Sequence, residues 1–250
     1  MKAVIHLNNR EYLIDLNEGR SISTPFYGEN HLPRAFNSPD IDIVPVRNGD
    51  WIGSTTEGGI LNFKNIFINP HGNGTHTECV GHIATEPYYI KDCLKQSHHL
   101  AQLISIKPKE QGQDTFISKQ QLEAITLEEG ISCIIIRTLP NLKEDKIKDW
   151  SNTNPTYIKA DAIGHLVEQG IEHFMIDVPS VDRENDEGKL LAHKTFWQYP
   201  GEQPRTRATI TEMIYAPDEI KDGSYIVDIQ VIPFAMDASP SNIKLYKVKN

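Results

Sequence analysis

Apolar and polar positions along this chain predict many short strands and a few helices. The opening segments "KAVIHL" and "YLIDL" flank the turn-prone "NNRE" and predict a hairpin, and "RNGD" at 47–50 predicts another because Asn-Gly accommodates positive φ. "KNIFIN" (64–69) is apolar and β-branched, and predicts a strand that runs directly into the following histidine segment, which is expected at the strand end and in the loop after it. "HLAQLISIKP" predicts a further strand. In "SKQQLEAI", Ser118 is placed to cap a helix with Gln121 completing a capping box.

"CIIIRT" (133–138) is the continuous apolar run of a strand buried on both faces. "KADAIGHLVEQG" follows, with Ala162, Ile163, Leu166 and Val167 on one helical face and Gly170 placed to end it. "HFMIDVPSVD" is a second buried strand that breaks at Pro179. Strand, helix and strand in that order predict a βαβ crossover, so the expected fold is α/β with a mixed sheet begun by hairpins. Residues 183–209 show no sustained period and predict a long surface loop, a length that in a compact domain usually serves function. "TITEMI" and "SYIVDIQVIPF" return to regular structure, and no internal repeat is present.

Composition narrows the class. A chain of 250 residues can bury one sizeable core, so residues 1–250 are expected to form a single domain. With 25 basic and 34 acidic residues the formal charge is −9. No Lys/Arg run is present to neutralise successive phosphates, which argues against nucleic acid and for a small-molecule partner. No stretch has signal-peptide or transmembrane character, so no membrane partner is expected and the protein should be cytoplasmic. Cys79, Cys93 and Cys133 are odd in number and form no C-x-x-C pattern; reduced thiols are expected.

The chemistry concentrates in "NPHGNGTHTECVGHI" (69–83), where three histidines and a glutamate share a segment with three glycines. Glycine lets the backbone approach a bound ion, and imidazole and carboxylate ligate borderline and hard divalent metals. His76 and Glu78 alternate along the chain, so an extended backbone projects them to one side, with His82 within reach of the same cavity. Cys79 beside His76 raises the possibility of a thiol nucleophile, without an evident orienting group. His6, His31, His98, His99, His165 and His173 read as packed or solvated residues. Asp177 and Asp182 flank Ser180, either as outer support for the site or as a local turn. Trp197 and Tyr199 are placed either to line a substrate pocket or to anchor the long loop. No G-x-S-x-G elbow, P-loop or dinucleotide fingerprint occurs.

This segment resembles the signature H-x-G-T-H-x-D-x-P-x-H of the cyclase family of metal-dependent hydrolases, which includes bacterial kynurenine formamidase and isatin hydrolase. Gly74, Thr75, His76 and His82 match in register, and Glu78 stands for the aspartate. "IDVPSVD", His193, Glu212 and the closing "DASP" resemble later family features, so the similarity spans roughly residues 20–245. Two departures stand out: the family's first histidine falls on Gly72, with His71 one residue early, and its proline falls on Val80. The His193 to Glu212 spacing is also long for the family.

The resemblance implies a partly barrel-like mixed sheet flanked by helices, of the swivelling β/β/α type. It implies a divalent metal, zinc ahead of manganese, as one or two ions on His71, His76, Glu78, His193 and Glu212. His82 would be the catalytic proton carrier. The implied reaction is hydrolysis of a C–N bond in a small N-formyl or cyclic amide, by a homodimer or larger homo-oligomer. A metal-poor binding relative and a polyketide-type cyclase are the alternatives. If the "HGNG" loop bulges by one residue, His71 takes the place of the histidine missing at Gly72.

Overall fold

The computed structural model describes residues 1–7, 9–26 and 33–249. At its centre is an eight-stranded mixed sheet. Its strands in chain order are β1 Arg20–Ser21, β2 His76–Glu78, β3 His98–Ile106, β4 Cys133–Thr138, β5 His173–Ile176, β6 Thr209–Glu212, β7 Gly223–Val231 and β8 Ala238–Lys247. They lie in the order β7-β3-β4-β5-β6-β2-β8-β1, and an added antiparallel pairing of β7 with β8 closes seven of them into a ring. Strands β3 to β6 run parallel, and the helix Ala160–Glu168 makes the crossover between β4 and β5, as the sequence predicts.

Alternation along each strand builds two cores. Ile134 and Ile136 of β4 and Phe174 and Ile176 of β5 pack with Ala162, Ile163 and Leu166 of the crossover helix and with Phe196 and Trp197 of the helix Leu191–Trp197. The intervening Cys133, Ile135 and Met175 meet Leu103, Val227 and Ile243. Since the helices cannot enter the ring, this second set fills it. A strand covered on both sides needs apolar residues at consecutive positions, which is why "CIII" opens this one. Each such side chain, fully buried, contributes about 1.5–3 kcal/mol.

The same parity aims the candidate ligands. Ile210 lies on the helix-covered face and pairs with Glu78, while Glu212 pairs with His76. His76, Glu78 and Glu212 therefore project towards the helices, while Thr77 and Thr211 turn to the other face and share a 2.9 Å hydrogen bond.

Both predicted hairpins form, Lys2–Leu7 with Arg10–Asp15 and Arg47–Asn48 with Trp51–Ile52, the latter with Gly49 at φ 57°. The capping box of Ser118 and Gln121 opens the helix Lys119–Glu123. The strand predicted in "KNIFIN" forms as Lys64–Phe67, and among the described residues it pairs with Asp42–Pro45 in an exposed ribbon outside the central sheet. Two expectations need correction. His76 and Glu78 stand on a strand of their own, β2, rather than in a loop. The 183–209 segment is not all loop: it holds the helix Leu191–Trp197, whose first amides from Ala192 and His193 are accepted by Asp182 instead of a local cap. His31 lies outside the described residues.

Candidate metal centre

The loop before β2 decides where His71 goes. Asn69 Oδ1 accepts from the amides of His71 and Gly72, and Asn73 ties the loop to Pro39 and Ser38. A Cβ at Gly72 would lie 2.4 Å from Ser38 Cβ, so position 72 faces the 35–39 loop and has no room for an imidazole. Gly74, at φ 132°, then turns the chain into β2. His71 reaches the cluster instead, its Nδ1 3.1 Å from Glu78 Oε2 and its ring 5.3 Å from that of His76.

His76 is wholly buried, with Nδ1 3.0 Å from Gly74 O. That contact fits Nδ1 as the protonated nitrogen and leaves the Nε2 lone pair aimed at Glu212 Oε2, 3.4 Å away. Glu78 is equally buried, with Oε1 3.2 Å from His193 Nε2. His76 Nε2 and Glu78 Oε2 both lack a hydrogen-bond partner. Glu212 Oε1 accepts from the Val181 amide at 2.8 Å and lies 3.9 Å from His193 Nε2. His82, at 29% side-chain exposure, forms the rim, its Nδ1 3.7 Å from Glu78 Oε2. Two carboxylates stand behind the imidazoles: Asp182 Oδ2 is 2.7 Å from His193 Nδ1, and Asp237 Oδ2 is 2.7 Å from His71 Nε2.

The electrostatics are those of a cation site. Burial alone would depress His193, yet Asp182, Glu78 and Glu212 raise it to about 10; Asp237 and Glu78 likewise overcome burial to raise His71 to about 10. Burial opposes the Glu78 charge, but His82, His193 and His71 hold its pKa well below the ordinary carboxylate range. The cluster thus concentrates negative potential on imidazoles that would otherwise be neutral. Donor atoms of His71, His76 and Glu78 lie within 4.8 Å of one another, as do those of Glu78, His82 and His193 and those of His71, His82 and Asp237. Orphaned donors and a mixed nitrogen and oxygen set fit a divalent metal.

The family model Cyclase, described as "Putative cyclase", matches residues 14–183. The chain belongs to the cyclase family. A kynurenine formamidase of Bacillus thuringiensis (strain Al Hakam) is 28% identical over 217 residues, covering 80% of this chain and 93% of that one. The kynurenine formamidase of Bacillus anthracis is 27% identical over the same length. Among solved structures, a potential metal-dependent hydrolase with cyclase activity superposes at TM-score 0.67, with 16% identity over 93% of this chain and 99% of that one. An isatin hydrolase bound to the product analogue thioisatinate gives TM-score 0.64, with 16% identity over 93% of each chain. These structures share the fold.

Of the residues the sequence singled out, the fold of this cyclase-family chain brings together His71, His76, Glu78, His82, His193 and Glu212, with Asp182 behind His193. Others fall elsewhere. Trp197, read as a possible pocket wall, is fully buried; its ring stacks on His193 at 5.4 Å and its indole N–H donates to Ala208 O. Tyr199 donates to Glu86 and accepts from the Thr85 amide, which ties down the end of the helix segment. Asp177 accepts from the Thr138 amide, and Ser180 Oγ accepts from the Asp182 amide within its own turn, so neither makes a hydrogen bond to the cluster among the described residues. The Cys79 thiol is buried, and contact with Cys93 together with burial pushes its pKa upward, which disfavours a thiolate nucleophile. The His99 and His173 rings lie tilted against each other, their centroids 3.8 Å apart, in a separate pair. Asp237 was missed: the "DASP" ending carried the resemblance, but nothing local marks a residue 166 positions from His71 as its partner.

Proposed function

We propose that this chain hydrolyses a C–N bond in a small amide of the N-formyl or cyclic kind, working as a single cytoplasmic domain with a divalent cation on His71, His76 and Glu78. The observation that carries the reading is the pair of orphaned buried atoms, His76 Nε2 and Glu78 Oε2. A buried polar atom without a partner costs about 1–3 kcal/mol, and a charged one more, unless something satisfies it. A cation would satisfy both. His193 and Glu212 stand beside Glu78 and would be the ligands of a second ion. Nitrogen donors favour zinc, and the carboxylates make manganese the next choice. When bound, such an ion supplies Lewis acidity and a water that ionises near neutral pH.

The chain's own residues do the rest. His82, at the half-open rim, takes a proton from the attacking water and delivers it to the leaving nitrogen. Oxygens of Asp237 and Glu78, 3.5 and 3.7 Å from its Nδ1, hold the ring in orientation. Asp182 fixes His193 through Nδ1, which turns Nε2 towards Glu78. The kynurenine formamidase relatives support an N-formyl substrate and the isatin hydrolase neighbour a cyclic one.

The test combines elemental analysis with hydrolysis of an N-formyl aromatic amine and of isatin, before and after chelation. Turnover that chelation abolishes and zinc or manganese restores supports the reading. Stoichiometric metal with no hydrolysis of either amide would point to the polyketide-type cyclase alternative, and absence of metal uptake to a binding protein.

We further infer a homodimer. The arm spanning residues 42–67 leaves Trp51, Ile60, Leu61, Phe63, Ile66 and Phe67 between 38% and 85% exposed. At about 200 Å² per large side chain this amounts to roughly 700 Å² over the two faces of the ribbon, near the ~800 Å² per partner of a stable interface. A second copy is the occupant this favours, because the arm leads directly into the loop that carries His71. Light scattering tests it: Ile66→Glu with Phe63→Glu should yield monomers, and a wild-type monomer at micromolar concentration would sink the idea.

A further inference from the structure

We propose that Asp237 is a positioning residue that holds the displaced His71 in its ligand position, and this rests on the metal reading above. Among the imidazoles of the cluster, His76 and His193 are fixed by burial, at 0% and 3% side-chain exposure, whereas His71 is 24% exposed. Packing alone leaves a ring at such a position free to turn. His71 also starts from a backbone position one residue before the family's, so its reach depends on what holds its far nitrogen.

Asp237 supplies that hold. Its Oδ2 lies 2.7 Å from His71 Nε2, which places the proton on Nε2 and leaves Nδ1 facing Glu78 Oε2. The arrangement duplicates that of Asp182 on His193, with the two ring nitrogens exchanged: one carboxylate fixes one nitrogen at 2.7 Å, and the other nitrogen faces Glu78. Backbone pairing fixes Asp237 itself, since its carbonyl accepts from the Cys79 amide at 2.9 Å and the next residue, Ala238, pairs with Glu78. Gly81 permits the approach, because a Cβ there would lie 3.0 Å from Asp237 Cβ and 2.1 Å from Tyr88 O. The same Oδ2 is 3.5 Å from His82 Nδ1, so one carboxylate spans the displaced ligand and the proton carrier.

Zinc affinity of the apo protein, measured by chelator competition, tests this in four forms: wild type, Asp237→Ala, His71→Ala and the double variant. Removing an orienting carboxylate typically costs about 10–100-fold in metal affinity. Asp237→Ala should lose that much, and the double variant should bind no more weakly than His71→Ala alone, because Asp237 acts through His71. Asp237→Asn keeps the size and one acceptor and should show an intermediate loss, which also serves if the alanine variant does not fold. Wild-type zinc uptake with Asp237→Ala unchanged overturns this proposal alone, as does a double variant whose losses multiply. A wild type that takes up no zinc overturns the metal reading and this proposal with it.

Discussion

Asp177 tests the electrostatics of the fold away from the candidate ligands. Its buried carboxyl accepts one hydrogen bond, from the Thr138 amide at 2.7 Å, and its Oδ1 has no partner. Burial pushes its pKa from 3.8 up to about 7. Between those values the folded protein keeps the proton that the unfolded chain has lost. The contribution to stability is therefore complete below about pH 4 and disappears as pH rises through 7. About three pKa units at ~1.4 kcal/mol each set an upper bound of ~4 kcal/mol. Asp177→Asn keeps the shape and an acceptor for Thr138 but cannot ionise. Urea unfolding of both proteins from pH 4.5 to 8 should show the variant gaining on wild type by up to that amount, with most of the gain between pH 5 and 7. Stability curves that stay parallel across this range would refute the assignment.

Other expectations concern the site and its support. His71→Ala should weaken zinc binding about as much as His76→Ala in a direct titration, because each removes one nitrogen beside Glu78; a His71 variant that binds like wild type would mean the loop does not deliver it. His82→Ala should retain metal by elemental analysis while losing turnover, and loss of the metal would make His82 a ligand. Trp197→Ala should cost about 3–5 kcal/mol in unfolding free energy, as expected for a buried aromatic. An unchanged melting temperature with altered substrate preference would return Trp197 to the pocket wall.

The readable parts of the sequence were those in which local pattern and final environment agree. "CIII" (133–136) and "FMI" (174–176) are apolar at consecutive positions because helices cover one face and the ring interior fills the other, so their burial can be read without knowing the partners. The histidine segment stood out because glycines and alternating candidate ligands are a local arrangement. "KNIFIN" forms the strand its pattern predicts, but Ile66 and Phe67 are 64% and 59% exposed on a two-stranded arm. Hydropathy predicts that such side chains need cover, not which molecule provides it. The helix Leu191–Trp197 was hidden because its first amides depend on Asp182, ten residues or more upstream, while Leu190 before it offers no capping side chain.

The displaced histidine shows how a departure from a family pattern can be absorbed by residues distant in sequence. A histidine at position 72 would collide with Ser38, so in this loop the family's spacing is sterically closed. Moving the imidazole to 71 solves the collision but brings it in from a more exposed position, where it needs a second anchor. Asp237, at the mouth of β8, is that anchor, and it can be there only because the closing strand pairs with β2 at Glu78. The loop, Ser38 and the closing strand are thus coupled through one imidazole. Restoring the family spacing should therefore fail: Gly72→His with His71→Gly should bind zinc more weakly than the native arrangement, because a side chain at 72 meets Ser38 in the 35–39 loop. Full zinc affinity in the double variant would show that the loop can adopt the family register unaided, and that Ser38 does not set the position of the ligand.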